Sequence, residues 1–287
     1  MITRDDLILQ ECEDGRTLGI TKFDSYAEFV EFCNSLPKEL RNEDNDDNWI
    51  FGTQFPNKTL TEQTLINGCT SQSMLDKAER LSISLKERVQ PSGDVAISVK
   101  RQRKFVCDDG EVNIDRYLGG NTEIYETTFR QGKQKSIRLA INIGLSSGNN
   151  ETQFQELCAS LIAVSEILDR MGFATHVLAI DSVHSPHLKT VYHEGGSEVT
   201  LKAPNEQFDI ERLCTAGLPG ALRWFGFRYT EWVGKPTSGY GFCKTTTEEF
   251  KKFLNLDLLI ERKWSSFEQQ VDYISKELTR IIEESRN

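Results

Sequence analysis

The stretch SIRLAINIGLSSGNNETQFQELCASLIAVSEILDRMGFATHVLAID (136–181) constrains the fold more than any other part of the chain. Its first segment alternates, with Ile137, Leu139, Ile141 and Ile143 on one face and Ala140 opposite, the pattern of a strand. From Glu151 to Met171 the period changes to that of a helix. Phe154, Leu157, Cys158, Leu161, Ile162, Val164, Ile167 and Leu168 form a wide apolar face, and Gly172 stops it. Residues 175–181 are then apolar almost throughout, as a strand buried on both faces requires. A strand, a long helix and a buried strand predict a parallel crossover unit. The expected class is therefore α/β.

The same periodic reading extends outward. TLGITKF (17–23) alternates as a strand. Ser25, with Glu28 three residues later, predicts a helix start, and Pro37 its end. Met74, Ala78, Leu81 and Leu85 predict a helix over 71–89. Residues 94–145 read as strands. Here TEIYETTF and KSIRLAINIG are joined by RQGK (130–133), which predicts a hairpin. DRYLGGN (115–121) reads as a short helical turn. Beyond 181, strands are expected at 196–204 and 257–264. Helices are expected at 209–217, 218–233, 247–255 and 265–284. The expected division is an N-terminal α+β elaboration over 1–129, packed on an α/β core over 130–287.

Composition excludes several classes. No stretch reaches the roughly 18 apolar residues of a membrane span, and MITRDDLILQ lacks the pattern of a signal peptide. The chain is expected to be cytoplasmic. Its seven cysteines are dispersed without a Cys-x-x-Cys pair, which argues for reduced core thiols rather than disulfides or a zinc ribbon. The net charge of −10 disfavours coating nucleic acid by charge alone but leaves room for a local basic groove. The acidic run Arg41–Trp49 reads as a solvated loop.

Three segments in order, DDGEVNIDRYLGGN (108–121), the 136–181 stretch and LCTAGLPGALRWFGFRYTE (213–231), resemble an uncharacterised family carried by bacteriophages, over roughly residues 110–285. The resemblance implies a von Willebrand A-like or Rossmann-like sandwich. It implies no activity. More loosely, the chain is similar to the single-stranded-DNA-binding cofactors of phage RNA polymerases. That likeness implies a phage RNA polymerase or replication protein as partner, in the host cytoplasm.

In von Willebrand A folds, a strand ending in Asp-x-Ser-x-Ser holds a cation. Here Asn142, Gly144 and Ser146 fill those slots, with Asp181 at the end of the next strand. Asn keeps an oxygen but loses the charge, and Gly144 offers no ligand, so a helix-capping loop is the favoured reading. His176, His184, His187 and His193 are the chain's four histidines. His184 and His187 are three apart, but Pro186 breaks the helix that would present them as a metal pair. No P-loop, nucleophile elbow or Gly-x-Gly-x-x-Gly is present, so no enzyme and no cofactor are expected.

The basic features carry the functional expectation. Lys100, Arg101, Arg103 and Lys104 precede Phe105. Arg130, Lys133, Lys135 and Arg138 follow on the adjoining segment. Cations for phosphate and aromatic faces for bases suit single-stranded nucleic acid. The competing reading is a solvated strand face. RWFGFRYTEW (223–232) has the same mixture, but aromatics at helical spacing read as core. The expectation is a non-enzymatic accessory protein that binds single-stranded DNA without crossing a membrane. The alternative is a metal-independent protein-interaction adaptor.

Overall fold

The computed structural model describes residues 6–37, 48–89, 100–106, 111–112, 125–131, 136–145, 149–184, 192–204, 206–233 and 246–286. In chain order the elements are β1 (Ile8–Glu11), β2 (Thr17–Phe23), α1 (Tyr26–Ser35), α2 (Asn48–Phe51), α3 (Lys58–Asn67) and α4 (Gln72–Arg88). Next come β3 (Lys100–Val106), β4 (Glu111–Val112), β5 (Tyr125–Gln131), β6 (Ser136–Asn142), α5 (Glu151–Arg170), β7 (Ala174–His184) and β8 (Glu194–Lys202). The last part holds α6 (Ile210–Cys214), a 3-10 turn (Thr215–Gly217), a π-helical segment (Ala221–Gly226), α7 (Phe227–Val233), α8 (Glu248–Phe253), β9 (Leu258–Ile260) and α9 (Phe267–Arg286).

Six strands form a mixed sheet in the order β1-β2-β8-β7-β6-β9. β6 and β7 pair in parallel, as the crossover predicts, with Leu139 beside Val177 and Ile141 beside Ala179. β7 and β8 pair antiparallel, and β2 lies parallel to β8. The N-terminal strands are thus built into the same sheet as β6–β9, and the expected boundary near residue 130 runs through it. Among the described residues, the segments on either side of the predicted RQGK hairpin do not pair with each other. β5 pairs with β3 and β4 in a separate three-stranded sheet, while β6 pairs with β7 and β9. Local turn chemistry suggested that hairpin; the parallel neighbours of β6 outcompete it because they bury its Ile and Leu face.

Local caps explain the helix starts. Ser25 Oγ accepts from Glu28 N at 3.2 Å, and Glu28 reaches back to Asp24 N at 2.7 Å. Asn150 and Gln153 satisfy each other's backbone N–H groups at the head of α5, a capping box. Gly172, at φ 91°, supplies the left-handed residue that ends this helix.

The large core lies on one face of the sheet. Phe23, Ile137, Leu139, Ile141, Val177, Ala179 and Val199 meet Phe154, Leu157, Leu161 and Leu168 of α5 there. A smaller core covers the other face, where Leu18, Ile20, Ala140, Leu178 and Ile180 meet Phe250 and Leu254 around α8. Truncating a fully buried member such as Leu157 to Ala costs about 2–5 kcal/mol. Cys33, Cys69, Cys158 and Cys214 are free thiols buried in these surroundings, and Cys12 is half-buried. Burial pushes Cys69 up to about 12, so its thiolate is scarce at neutral pH. Cys107 and Cys243 lie outside the described residues.

Candidate functional site at the strand ends

Parallel β6 and β7 bring Asn142 and Asp181 to neighbouring strand ends, where open α/β sheets place their crevices. Asn142 is buried and fully engaged. Its Oδ1 accepts from Gly144 N at 2.9 Å and Ser182 N at 3.3 Å. Its Nδ2 donates to Thr246 Oγ1 at 3.0 Å and Glu261 Oε1 at 3.3 Å. Glu261 also accepts from the Thr246 backbone N–H at 2.8 Å and from the Thr246 hydroxyl. Lys263 lies 3.0 Å from its other oxygen. This explains an amide at position 142. An aspartate could not donate to Glu261 and would set two buried carboxylates against each other.

Gly144 is equally constrained. A Cβ there would fall 2.7 Å from Ser182 O and 2.9 Å from Asn142 Oδ1. The turn thus excludes the side chain that would have carried a hydroxyl ligand. Ser146 lies outside the described residues. Among the described residues, no group of three or more His, Cys, Asp or Glu side chains is placed to hold an ion.

Asp181 has the opposite character. It is 1% exposed, and neither carboxylate oxygen has a hydrogen-bond partner. Two glycines make room for it. A Cβ on Gly226, at the end of the π-helical segment, would come within 2.6 Å of Oδ2, and one on Gly144 within 3.4 Å of Oδ1. Burial pushes its pKa up to about 7, because the charged form has neither water nor a donor. The Tyr26 hydroxyl and Ser182 Oγ are also buried without partners. Burial, and to a smaller extent the charge of Asp181, raise the pKa of Tyr26. A carboxyl poised near neutrality can exchange a proton. Among the described residues, no nucleophile or second acid hydrogen-bonds to this one.

The segment carrying Gly226 is core. Trp224, Phe225 and Tyr229 are buried, and the Tyr229 hydroxyl lies 2.8 Å from Thr21 Oγ1 and 2.9 Å from Gly196 O. Its two arginines are structural. Arg223 donates to Asn149 O and stacks over Phe154. Arg228 donates to Cys33 O at 3.1 Å and Leu36 O at 3.0 Å, closing the C-terminus of α1 with a cation.

The basic candidates divide. Lys100, Arg101, Arg103, Lys104 and Phe105 all lie on β3, and Arg130 on β5. The antiparallel register sets Arg101 opposite Arg130 and Phe105 opposite Glu126. Lys133 and Lys135 lie outside the described residues. Arg138 belongs to the six-stranded sheet and is committed there. It pairs with Glu198 at 2.6 Å, donates to Leu254 O at 2.9 Å and lies 3.0 Å from His176 Nδ1. Burial, then the charge of Arg138, pushes His176 down to about 4. His193 is exposed and accepts from Thr17 N. His184 is the register partner of Glu194, and His187 lies outside the described residues.

Sequence reasoning singled out Asn142 and Asp181 but missed Tyr26, Gly226, Thr246 and Glu261 around them. The glycine interrupting RWFGFRYTEW was the available signal, since a Gly in an apolar helix marks a close approach.

The six-stranded mixed sheet with helices on its faces defines a mixed α/β protein. Its sequence matches the model of a family described as a domain of unknown function (DUF7192) over residues 11–283, and the chain belongs to that family. No curated protein and no solved structure matches it.

Proposed function

We propose that the protein is a non-enzymatic accessory protein that holds single-stranded nucleic acid on the β3–β5 ribbon. The observation carrying this reading is the register that sets Arg101 directly opposite Arg130, beside Lys100, Arg103 and Lys104. Like charges opposite one another destabilise a strand pair, and a polyphosphate backbone relieves that repulsion. Phe105 on the same strand offers a ring for a base to stack on. The chain's net charge of −10 disfavours binding by overall charge, so contact would need a local basic surface such as this ribbon.

In this reading the α/β body is the scaffold, von Willebrand A-like in its β6–α5–β7 crossover and the turn that follows β6. Its partner is a polymerase or replication protein of phage type, met in the host cytoplasm. Among the described residues, no helix is long and apolar enough to cross a membrane. The adaptor reading is favoured by one feature. The Asn142 carbonyl oxygen is spent on two N–H groups, so a partner surface at the strand ends would be met without an ion.

A labelled oligo-dT strand titrated across a salt series tests the proposal. Five phosphate contacts predict a slope of log affinity on log salt of about −3.5. Arg101→Glu with Arg103→Glu is expected to weaken binding at least about tenfold and flatten the slope. Absence of binding at low salt would overturn the reading and leave the adaptor.

A further inference from the structure

The register of the β3–β5 ribbon sorts its residues onto two faces. Residues directly opposite in an antiparallel pair share a face, and neighbours along a strand alternate. Arg101 pairs with Arg130, Arg103 with Thr128, and Phe105 with Glu126, which also pairs with Glu111 of β4. These residues share one face. Lys100, Gln102 and Lys104 belong to the other, opposite Gln131, Phe129 and Thr127. The cations that read as one basic run in sequence are thus divided, arginines on one face and lysines on the reverse. The arginine face is graded along its length. Arg101 and Arg130 are separated by about 5 Å across the pair, and Arg103 follows about 7 Å along β3. Glu126 lies diagonal to Arg103, with Glu111 beyond it. Among the described residues of the ribbon, no acid lies opposite or diagonal to Arg101 or Arg130.

We propose that this face binds the phosphorylated end of a single-stranded nucleic acid. The inference rests on the strand-binding reading above and names the part of the strand that is held. An internal phosphodiester brings one negative charge. A terminal phosphate monoester brings about −1.5 to −2 charge and three acceptor oxygens, which matches two guanidinium groups, each able to take two oxygens in a fork. A strand continuing along the face would carry its next phosphates toward Glu126 and Glu111, where like charges repel. A strand that ends at the arginine pair avoids them. Phe105, two residues beyond Arg103 on the same face, offers a ring to the uncharged terminal base. β3 is an edge strand of its sheet, so the rest of the nucleic acid can leave over that edge toward Lys100 and Lys104.

Fluorescence anisotropy of the full chain with internally labelled oligo-dT tests it, using 5′-phosphorylated, 3′-phosphorylated and unphosphorylated strands of one length. Phosphorylation of one end is expected to tighten binding about tenfold or more. Arg130→Gln should cut that ratio to about twofold or less, with near-ultraviolet circular dichroism checking that the variant is folded. Lys100→Gln with Lys104→Gln should weaken all three strands alike and keep the ratio. Equal affinity for the three strands, or a ratio undiminished in folded Arg130→Gln, would overturn the inference and leave strand binding in place. Inorganic phosphate or a phosphoserine peptide competing as tightly as the phosphorylated strand would overturn it too. No binding of any strand at low salt would remove the strand-binding reading itself, and this inference with it.

Discussion

Asp181 places a carboxyl group where the fold supplies no hydrogen-bond donor, and this has a consequence in pH. Its pKa rises on folding from the usual 3.8 to about 7. Between those values the folded chain keeps a proton that the unfolded chain has released. Stability linked to Asp181 is therefore full below about pH 4, falls as the pH climbs to about 7, and is flat above. Asp181→Asn keeps the shape and removes the titration. The variant is expected to exceed the parent in stability near pH 8, by on the order of a few kcal/mol, with the gap closing toward pH 4. Urea unfolding across that range measures it, and a gap independent of pH would refute the account. At this scale the sequence was half informative. An Asp ending an apolar strand (THVLAID) is visible in one dimension. That it lies beneath Gly226 and beside Gly144, with no donor, is set by residues far away in the chain.

Elements with local signals were legible, and those joined by distant partners were not. The start of α1 announces itself because Ser25 and Glu28 lie three residues apart. By contrast, α5 is capped by Asn150 and Gln153 and not, as expected, by the Asn142 loop, whose amide is spent on Gly144, Ser182, Thr246 and Glu261. The pairing of β5 and β6 was misread because a Gly-containing turn is compatible with a hairpin, while strand partners are chosen by buried area elsewhere in the chain. The run RWFGFRYTEW shows both cases. Its aromatic spacing predicted core, but nothing in its sequence announced a π-helical turn before α7. That segment leads into Arg228, which clamps the end of α1 through the Cys33 and Leu36 carbonyls. Arg228→Met retains much of the volume and removes these hydrogen bonds together with a longer one to Pro37 O at 3.5 Å. A loss of about 2–4 kcal/mol is expected, read as a lower urea midpoint with an unchanged slope. A loss under about 0.5 kcal/mol would mean that the clamp is dispensable.

For the whole molecule, the decisive feature is that the sheet is closed by the chain's beginning. β2 supplies Leu18 and Ile20 to one core and Phe23 to the other, and its register with β8 runs from Leu18–Glu194 to Phe23–Val199. Removing residues 1–129 would strip those side chains from both cores. It would also turn β8 into an open edge strand, with backbone donors and acceptors exposed for mispairing. Helices α1 and α4, whose Phe29, Val30, Leu81 and Leu85 pack in the large core, would go with them. A fragment of 130–287 is therefore expected to aggregate or to lack cooperative unfolding, even though it retains the crossover that dominates the sequence pattern. Expression of that fragment, followed by near-ultraviolet circular dichroism and urea unfolding, decides the matter. A soluble fragment with a sharp transition would show that β6–β9 and their helices form an autonomous core. The N-terminal strands would then be an addition to the fold rather than part of its closure.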